Sequence, residues 1–453
     1  LDIIEQMKWL GISWDEGPEV GGEYGPYRQS ERLDTYEKYL KQLLEADKAY
    51  YCFCTAGQLE KERQEALTKG LTPLYSGACR KLSKTVVASW RADGKPSIIR
   101  LKMPEKEVIF KDLIRGELAF DTSLLGDFTI AKDLRIPLYN FAVVVDDYTM
   151  EITHVIRGED HISNTPKQIV LQEALGFPSP HYGHLPLILN PDRSKMSKRV
   201  GPTAIAEYRQ QGYLPEALLN FMAFLGWNPK TDQEIFSLKE LEKTFSLEGV
   251  GRSGAIFNLE KLNHINGYYI RQKPVKELTK LCLPYLEKTG LIHPLSPLLS
   301  PPKADPPLAD KEGRGEVDFD FLQGVVASVR ERLEKLSDVA PMAEFFFQEE
   351  LEYDPKILVW KKSTLEDAEV KLQMAYDYFK LLPEDSFKKD FLERVFKELI
   401  SEKGIGVGDL LWPLRVALTG REASPSPFEV AEVLGKDKAL KRIQRALVLL
   451  NRE

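Results

Sequence analysis

His184-Leu185-Pro186-Leu187-Ile188-Leu189-Asn190-Pro191-Asp192, followed after two residues by Lys195-Met196-Ser197-Lys198-Arg199, is the stretch on which the fold turns. Leu185 to Leu189 is short and apolar, and the Asn-Pro-Asp group after it is a turn signal. The spacing therefore predicts a β-strand ending in a turn. Three cations within five residues then sit on a loop just past that strand. Lysines on a loop are mobile point charges, suited to negative charge developing on a phosphate. A solvated basic loop has the same composition, so the surroundings must decide.

Upstream, Tyr139-Asn140-Phe141-Ala142-Val143-Val144-Val145-Asp146-Asp147 contains a short apolar, β-branched run that stops at two carboxylates, which predicts a buried strand. A second strand is expected through Ile152 to Ile156. Thr165 as N-cap, Pro166 at the first helical position and Gly176 at the end then bracket a helix. Residues 134–200 thus read as α/β. Arg157, in His154-Val155-Ile156-Arg157-Gly158-Glu159-Asp160-His161, falls at the end of an apolar strand. Open α/β sheets place their ligand crevice there, and a guanidinium can grip a carboxylate bidentately. Arg157 can equally pair with Glu159 or Asp160, and Tyr139 can be a core residue.

Taken in register, these two regions resemble the class I aminoacyl-tRNA synthetases, and among them the bacterial glutamyl type. Lys195 to Arg199 is similar to the Lys-Met-Ser-Lys-Ser signature, and His184 to Asp192 is similar to the run preceding it. The resemblance implies catalytic roles for Lys195, Ser197 and Lys198, and ATP contacts from Lys195, Lys198, Asp160, His161 and Leu187. It assigns glutamate binding to Tyr139 and Arg157, which suits a substrate with a side-chain carboxylate. It further implies ATP as substrate with Mg²⁺, and L-glutamate and tRNA(Glu) as partners. The reaction expected is formation of glutamyl-adenylate and transfer to tRNA, with no covalent nucleophile. A monomer is the family expectation.

His181-Tyr182-Gly183-His184 matches the family's ATP-binding His-x-Gly-His wording. That motif belongs at a helix N-terminus, where backbone N–H groups favour phosphate. Here the pair leads into a strand, so it is given no primary catalytic role. Leu1 to Gly17 is similar to the segment that follows the family's own motif. The chain is accordingly expected to be N-terminally truncated and, as written, not to activate glutamate efficiently.

Cys52-x-Cys54, with Cys79 and with Tyr75 four residues before it, resembles the zinc-binding acceptor-stem module of some glutamyl-type synthetases. Structural zinc takes four ligands. Lys81 stands where some relatives carry histidine, so Cys52, Cys54, Cys79 and Tyr75 would form the set. Metal-free cysteines packed in the same hairpin are the alternative reading.

The chain has 453 residues, 43% hydrophobic and 29% charged, enough for about three domains of ordinary soluble composition. No apolar run approaches the ~18 residues of a membrane-spanning helix. Four cysteines are too few for a disulfide scaffold and point to a reducing, cytoplasmic setting. A net charge of -7 does not announce a nucleic-acid binder, so any RNA contact must come from local basic patches.

The fold class expected is α/β: a class I synthetase nucleotide-binding, Rossmann-like domain with an inserted α+β acceptor-binding module, then a mainly helical stem-contact and anticodon-binding region. The boundaries expected are 1–48 and 134–200 for the catalytic domain, 49–133 for the insertion and 201–293 for the stem-contact region. A Pro-rich linker or loop over 294–316 and a helical anticodon-binding region over 317–453 follow. Arg252 to Leu262, Asn266 to Ile270 and Trp412 to Gly420 are similar to stem-contact and anticodon segments, though helix core explains them equally. The last helix is expected to place Leu440, Ile443, Leu447 and Leu450 on one face, with Lys438, Lys441, Arg442 and Arg445 largely elsewhere. Rival readings are a glutamyl-queuosine-type tRNA modifier, which would end soon after the lysine loop, a nucleotidyltransferase, a non-catalytic tRNA-binding remnant, or an enzyme that also charges tRNA(Gln).

Overall fold

In the computed structural model, residues 2–196, 204–292 and 318–451 are described. Ser197, Lys198, Arg199 and the Pro-rich stretch 294–316 lie outside them. The chain divides into two compact units: Leu1–Thr203 with Leu219–Asn258, and Ala204–Leu218 with Leu259–Glu453.

The first part runs α1 (Asp2–Trp9), α2 (Leu33–Glu45), β1 (Ala49–Cys52), α3 (Ala56–Thr68), α4 (Lys84–Ala92), β2 (Ile98–Leu101), β3 (Glu107–Asp112), β4 (Gly116–Asp121), β5 (Thr129–Asp133), β6 (Ile136–Pro137), α5 (Tyr139–Thr149), β7 (His154–Gly158), α6 (Thr165–Leu175), β8 (His181–Leu185) and β9 (Ile188–Leu189). Among the described residues from 204 onward, helices predominate and β10 (Ala255–Ile256) is the one strand. The helices are α7 (Ile205–Gln211), α8 (Pro215–Ala223), α9 (Leu238–Thr244), α10 (Leu259–Gln272), α11 (Val275–Lys288), α12 (Phe319–Val329), α13 (Val339–Ala343), α14 (Leu365–Leu381), α15 (Lys389–Lys403), α16 (Val407–Thr419) and α17 (Pro427–Leu450).

Two four-stranded sheets organise the first unit. One, in the order β1-β2-β5-β6, is antiparallel. The other has the order β4-β3-β8-β7. In it β7 and β8 run parallel, joined through α6, while the β3–β4 hairpin adds an antiparallel edge. One core serves both sheets and includes Tyr36, Leu40, Leu43, Ile99, Leu101, Phe141, Val145, Leu171 and Tyr182. Each fully buried large side chain there contributes roughly 1.5–3 kcal/mol.

The run Phe141–Val145 is not a strand but the middle of α5. Its buried members, Phe141, Ala142, Val144 and Val145, fall at helical spacing, one stripe pointing into the core. Five apolar residues cannot distinguish strand from helix by periodicity alone. Asp146 is therefore a helix residue, and it accepts hydrogen bonds from Arg32 Nε at 2.7 Å and Tyr36 Oη at 2.8 Å, which fasten α5 to α2.

Smaller shifts occur further on. The strand expected over 152–156 lies at His154–Gly158. The strand expected over 185–189 divides into β8 and β9 around Pro186, which has no N–H to give a ladder. Helix α6 starts one residue earlier than expected, with Asn164 as N-cap and Thr165 inside it, and ends at Gly176 with φ 74°, a left-handed cap suited to glycine. In α17, Leu440 is only half-buried, while Ile443, Leu447 and Leu450 are buried as expected. Arg442, expected off that face, is buried too. Its guanidinium satisfies itself on the carbonyls of Leu418, Phe345 and Gln348.

Candidate active site

The parallel strands β7 and β8 end side by side, with Arg157 opposite His184 and Gly158 opposite Leu185. Beyond Gly158 the chain enters a tight 3-10 turn, Glu159–Asn164. Gly158 has a local reason to be glycine, because a Cβ there would stand 2.6 Å from Asp160 Oδ1. The turn brings four assigned groups together in two pairs. Asp160 Oδ2 lies 3.3 Å from Lys195 Nζ. Burial opposes its charge, but the ion pair with Lys195 and the nearby His161 hold the Asp160 carboxyl below the usual range. His161 Nδ1 lies 3.2 Å from Tyr139 Oη, which projects from the first turn of α5.

Lys195 is held by a hairpin rather than a free loop. Asn190 N–H donates to Ser194 O at 2.8 Å, and Met196 N–H to Ile188 O at 3.1 Å. Asp192 caps this turn by accepting from Ser194 N at 2.9 Å. Leu187 is anchored at both backbone groups: its N–H donates to Glu159 Oε1 at 3.0 Å and its carbonyl accepts from Ala255 N–H at 2.9 Å. Ser197 and Lys198 fall outside the described residues.

Arg157 pairs with neither Glu159 nor Asp160. Glu159 is engaged by Arg115 instead. The guanidinium of Arg157 is held by neutral acceptors: Nη2 donates to Thr165 Oγ1 at 2.9 Å and Gln168 Oε1 at 2.8 Å, and Nε to His184 Nε2 at 3.3 Å. Asp147 acts on it electrostatically without a hydrogen bond, and burial raises that carboxyl to about 6. Gln168 passes the chain on to Asn140 at 3.0 Å. A cation oriented by uncharged partners keeps its charge for an anionic ligand.

Behind Arg157 stands a pair that the sequence did not reveal. His184 and Asp112 side chains are both fully buried, with His184 Nδ1 2.6 Å from Asp112 Oδ2. Asp112 Oδ1 accepts the N–H groups of Ile114 and Arg115 at 2.9 and 2.8 Å, and that of His184 at 3.3 Å. Burial works against its charge, but these hydrogen bonds hold the carboxyl below the ordinary range. Burial also lowers the His184 imidazole, only partly opposed by Asp112, so the ring is neutral near pH 7. No spacing signal links Asp112, at the end of a hairpin strand, to a histidine 72 residues on. The His181–His184 wording lies within a strand, where no helix N-terminus exists to cradle phosphate.

A second cluster lies at β1. The sulfurs of Cys52, Cys54 and Cys79 fall within 4.8 Å of one another. Tyr75 Oη is 3.3 Å from Cys52 Sγ and 3.4 Å from Cys54 Sγ. Burial raises the Cys54 thiol to about 11, whereas Cys52, whose burial also works to raise it, is lowered overall by hydrogen bonding with Tyr75, the Cys54 backbone and Arg100. Arg100 also lies 4.2 Å over the Tyr75 ring. In a tetrahedral zinc–thiolate site neighbouring sulfurs sit about 3.8 Å apart, so three thiols and one phenol on this scale fit the ion.

Comparison with known proteins gives two family matches in chain order. The family of class I tRNA synthetases for E and Q, catalytic domain, matches residues 1–264, and an anticodon binding domain family matches residues 277–447. The glutamate--tRNA ligase of Carboxydothermus hydrogenoformans is 44% identical over 447 residues, 98% of this chain and 88% of that protein. That of Moorella thermoacetica is 41% identical over 446 residues, covering 98% and 87%. Among solved structures, a glutamate tRNA ligase from Elizabethkingia meningosepticum in complex with its amino acid superposes with a TM-score of 0.83 at 30% identity, covering 98% of this chain and 88% of that one.

Proposed function

We infer the working of this site from one premise: the chain belongs to the bacterial glutamate--tRNA ligases, class I synthetases that attach glutamate to tRNA in protein synthesis. Their reaction uses ATP. Attack of the glutamate α-carboxylate on the α-phosphate gives glutamyl-adenylate and pyrophosphate, and the acyl group then passes to the terminal ribose of tRNA.

In this reading Arg157 takes the side-chain carboxylate of glutamate, and Tyr139 closes the same pocket. Lys195 and Lys198, with Ser197 between them, act on the phosphates, and Asp160, His161 and Leu187 lie toward the adenosine. Mg²⁺ is expected as the phosphates' counter-ion. The protein's share is positioning and charge stabilisation. Lys195 waits on Asp160 until phosphate replaces that carboxylate. Residues 49–133 serve as the acceptor-binding module, held by zinc on Cys52, Cys54, Tyr75 and Cys79, and residues 317–453 as the anticodon-binding region. The enzyme acts in the cytoplasm as a monomer.

The observation that carries the assignment is Arg157, a cation at a sheet's ligand end whose hydrogen-bond partners are all neutral. Its test is Arg157→Ala. The variant should raise KM for glutamate by roughly 100-fold or more, as loss of a charge-assisted pair requires, while KM for ATP changes little. Unchanged glutamate KM in a folded variant would remove the assignment.

A further inference from the structure

Three of the five N–H bonds of Arg157 are committed within the protein. Nη2 gives both of its hydrogens, to Thr165 Oγ1 and Gln168 Oε1, and Nε gives its one to His184 Nε2. Among the described residues, that leaves the two hydrogens of Nη1. Resting on the reading of Arg157 as the glutamate-binding cation, we propose that the buried Asp112–His184 pair is a positioning relay that fixes Arg157 so that Nη1 alone, end-on, receives the substrate's side-chain carboxylate.

The argument runs through one tautomer. Asp112 is ionised and accepts from three backbone N–H groups, so His184 Nδ1, 2.6 Å from Oδ2, must carry the proton it donates. A neutral imidazole protonated on Nδ1 has an accepting lone pair on Nε2. That lone pair faces Arg157 Nε, 3.3 Å away, and the Thr165 hydroxyl, 3.1 Å away. Thr165 in turn lies 3.2 Å from the His161 carbonyl, which can accept its hydrogen. Each acceptor around the guanidinium is thus set by a second acceptor behind it that takes its residue's own hydrogen: Asp112 for His184, the His161 carbonyl for Thr165 and Asn140 Oδ1 for Gln168.

Had the proton sat on Nε2, that N–H would point at Arg157 Nε–H, donor against donor. The guanidinium would then have to turn and surrender Thr165 or Gln168. The relay begins on the β3–β4 hairpin and reaches the pocket because β3 pairs with β8 in the same sheet. Binding of the amino acid therefore depends on a residue 45 positions upstream of the arginine that touches it.

The test uses the full-length enzyme. Asp112→Asn keeps size and an acceptor oxygen but presents N–H to His184 Nδ1, forcing the proton to Nε2. The same logic makes the Asp-to-Asn change in a serine-protease triad a tautomer error. We expect KM for glutamate to rise roughly 10- to 100-fold, the scale of one lost hydrogen bond to a charged group, with KM for ATP within about twofold. The two imidazole nitrogen signals of His184 should exchange protonated and unprotonated positions in ¹⁵N spectra. His184→Gln can still accept from Arg157 and should stay within about threefold of the parent, whereas His184→Asn can donate to Asp112 but offers Arg157 nothing. Equal impairment of these two would assign His184 to packing and overturn the relay. So would an unchanged glutamate KM in Asp112→Asn. Should the variants fail to fold, the parent enzyme decides: a His184 proton on Nε2 overturns the proposal. Failure of Arg157→Ala to weaken glutamate would instead remove the underlying assignment.

Discussion

Asp146 and Asp147 are neighbours on one helix with opposite fates. Asp146 turns to Arg32 and Tyr36 and is fully hydrogen-bonded. Asp147 is half-buried, feels Arg157 only electrostatically, and burial raises it from 3.8 to about 6. For an acid the sign is unfavourable at high pH. Between about pH 4 and 6 the folded chain holds a proton that the unfolded chain has released, so stability falls across that window and stays lower above it. Asp147→Asn cannot ionise. Its stability relative to the parent should be near zero at pH 4 and grow to on the order of 2 kcal/mol by pH 7. Thermal unfolding of both proteins at the two pH values checks this, and a difference that does not change with pH would show the carboxyl ionising freely. At this scale the sequence spoke clearly where chemistry and position coincide. The place of Arg157 at the end of a strand was legible from the apolar run before it. Asp112 was not, because its partner lies across a sheet whose order no linear spacing encodes.

Elements were legible where two signals agreed. Helix α6 had a proline near its start and a glycine at its end. Helix α5 had only an apolar run, and β-branched residues tilted the reading to strand although burial on one face settles it as helix. The cysteine cluster was legible by spacing, yet its use depends on packing. Cys52 and Cys79 lie inside a small core with Tyr50 and Phe53, backed by Tyr75, Leu82 and Trp90. The other face of β1 and β2 belongs to the large core through Ala49, Ile99 and Leu101, so a metal bound in the small cluster would add folding free energy to the cysteine side of the sheet. One zinc per chain is therefore expected by elemental analysis of the purified enzyme. Cys79→Ser should release it and speed amide exchange in β1 and β2 by roughly 10-fold or more, equivalent to ~1.4 kcal/mol of local stability. A parent enzyme free of metal, with those amides equally protected, would favour the plain packed-cysteine reading.

At the scale of the molecule, chain order and compactness diverge. Residues 204–218 precede 219–258 in sequence but pack with 259–453. The contacts are specific. Leu336 N–H donates to Gly212 O at 2.9 Å, Ser337 Oγ to Gln211 O at 2.7 Å, and Leu214 N–H to the fully buried Asn266 at 2.8 Å. Lys273 Nζ pairs with Glu216 at 2.8 Å. Tyr213 and Leu214 are each 2% exposed. Gly212 has φ 90°, and a Cβ on it would stand 2.7 Å from Ser337 N, so the close approach admits only glycine. A catalytic fragment cut between the two family matches, ending near residue 276, would keep 204–218 and α10 but remove the 330s that cover them. The entropy of ordering that helix would then lack its compensating burial. Such a fragment should show amides of 205–218 exchanging near the unprotected rate, and it should bind an apolar dye that the whole enzyme does not. Gly212→Val in the whole enzyme should cost roughly 2–4 kcal/mol, from left-handed strain and overpacking together, and should lower the melting of the second unit while leaving the first unchanged. A soluble fragment with 205–218 fully protected would mean these residues fold without Leu336 and Ser337, and the seam between catalytic and anticodon-binding parts would then follow chain order after all.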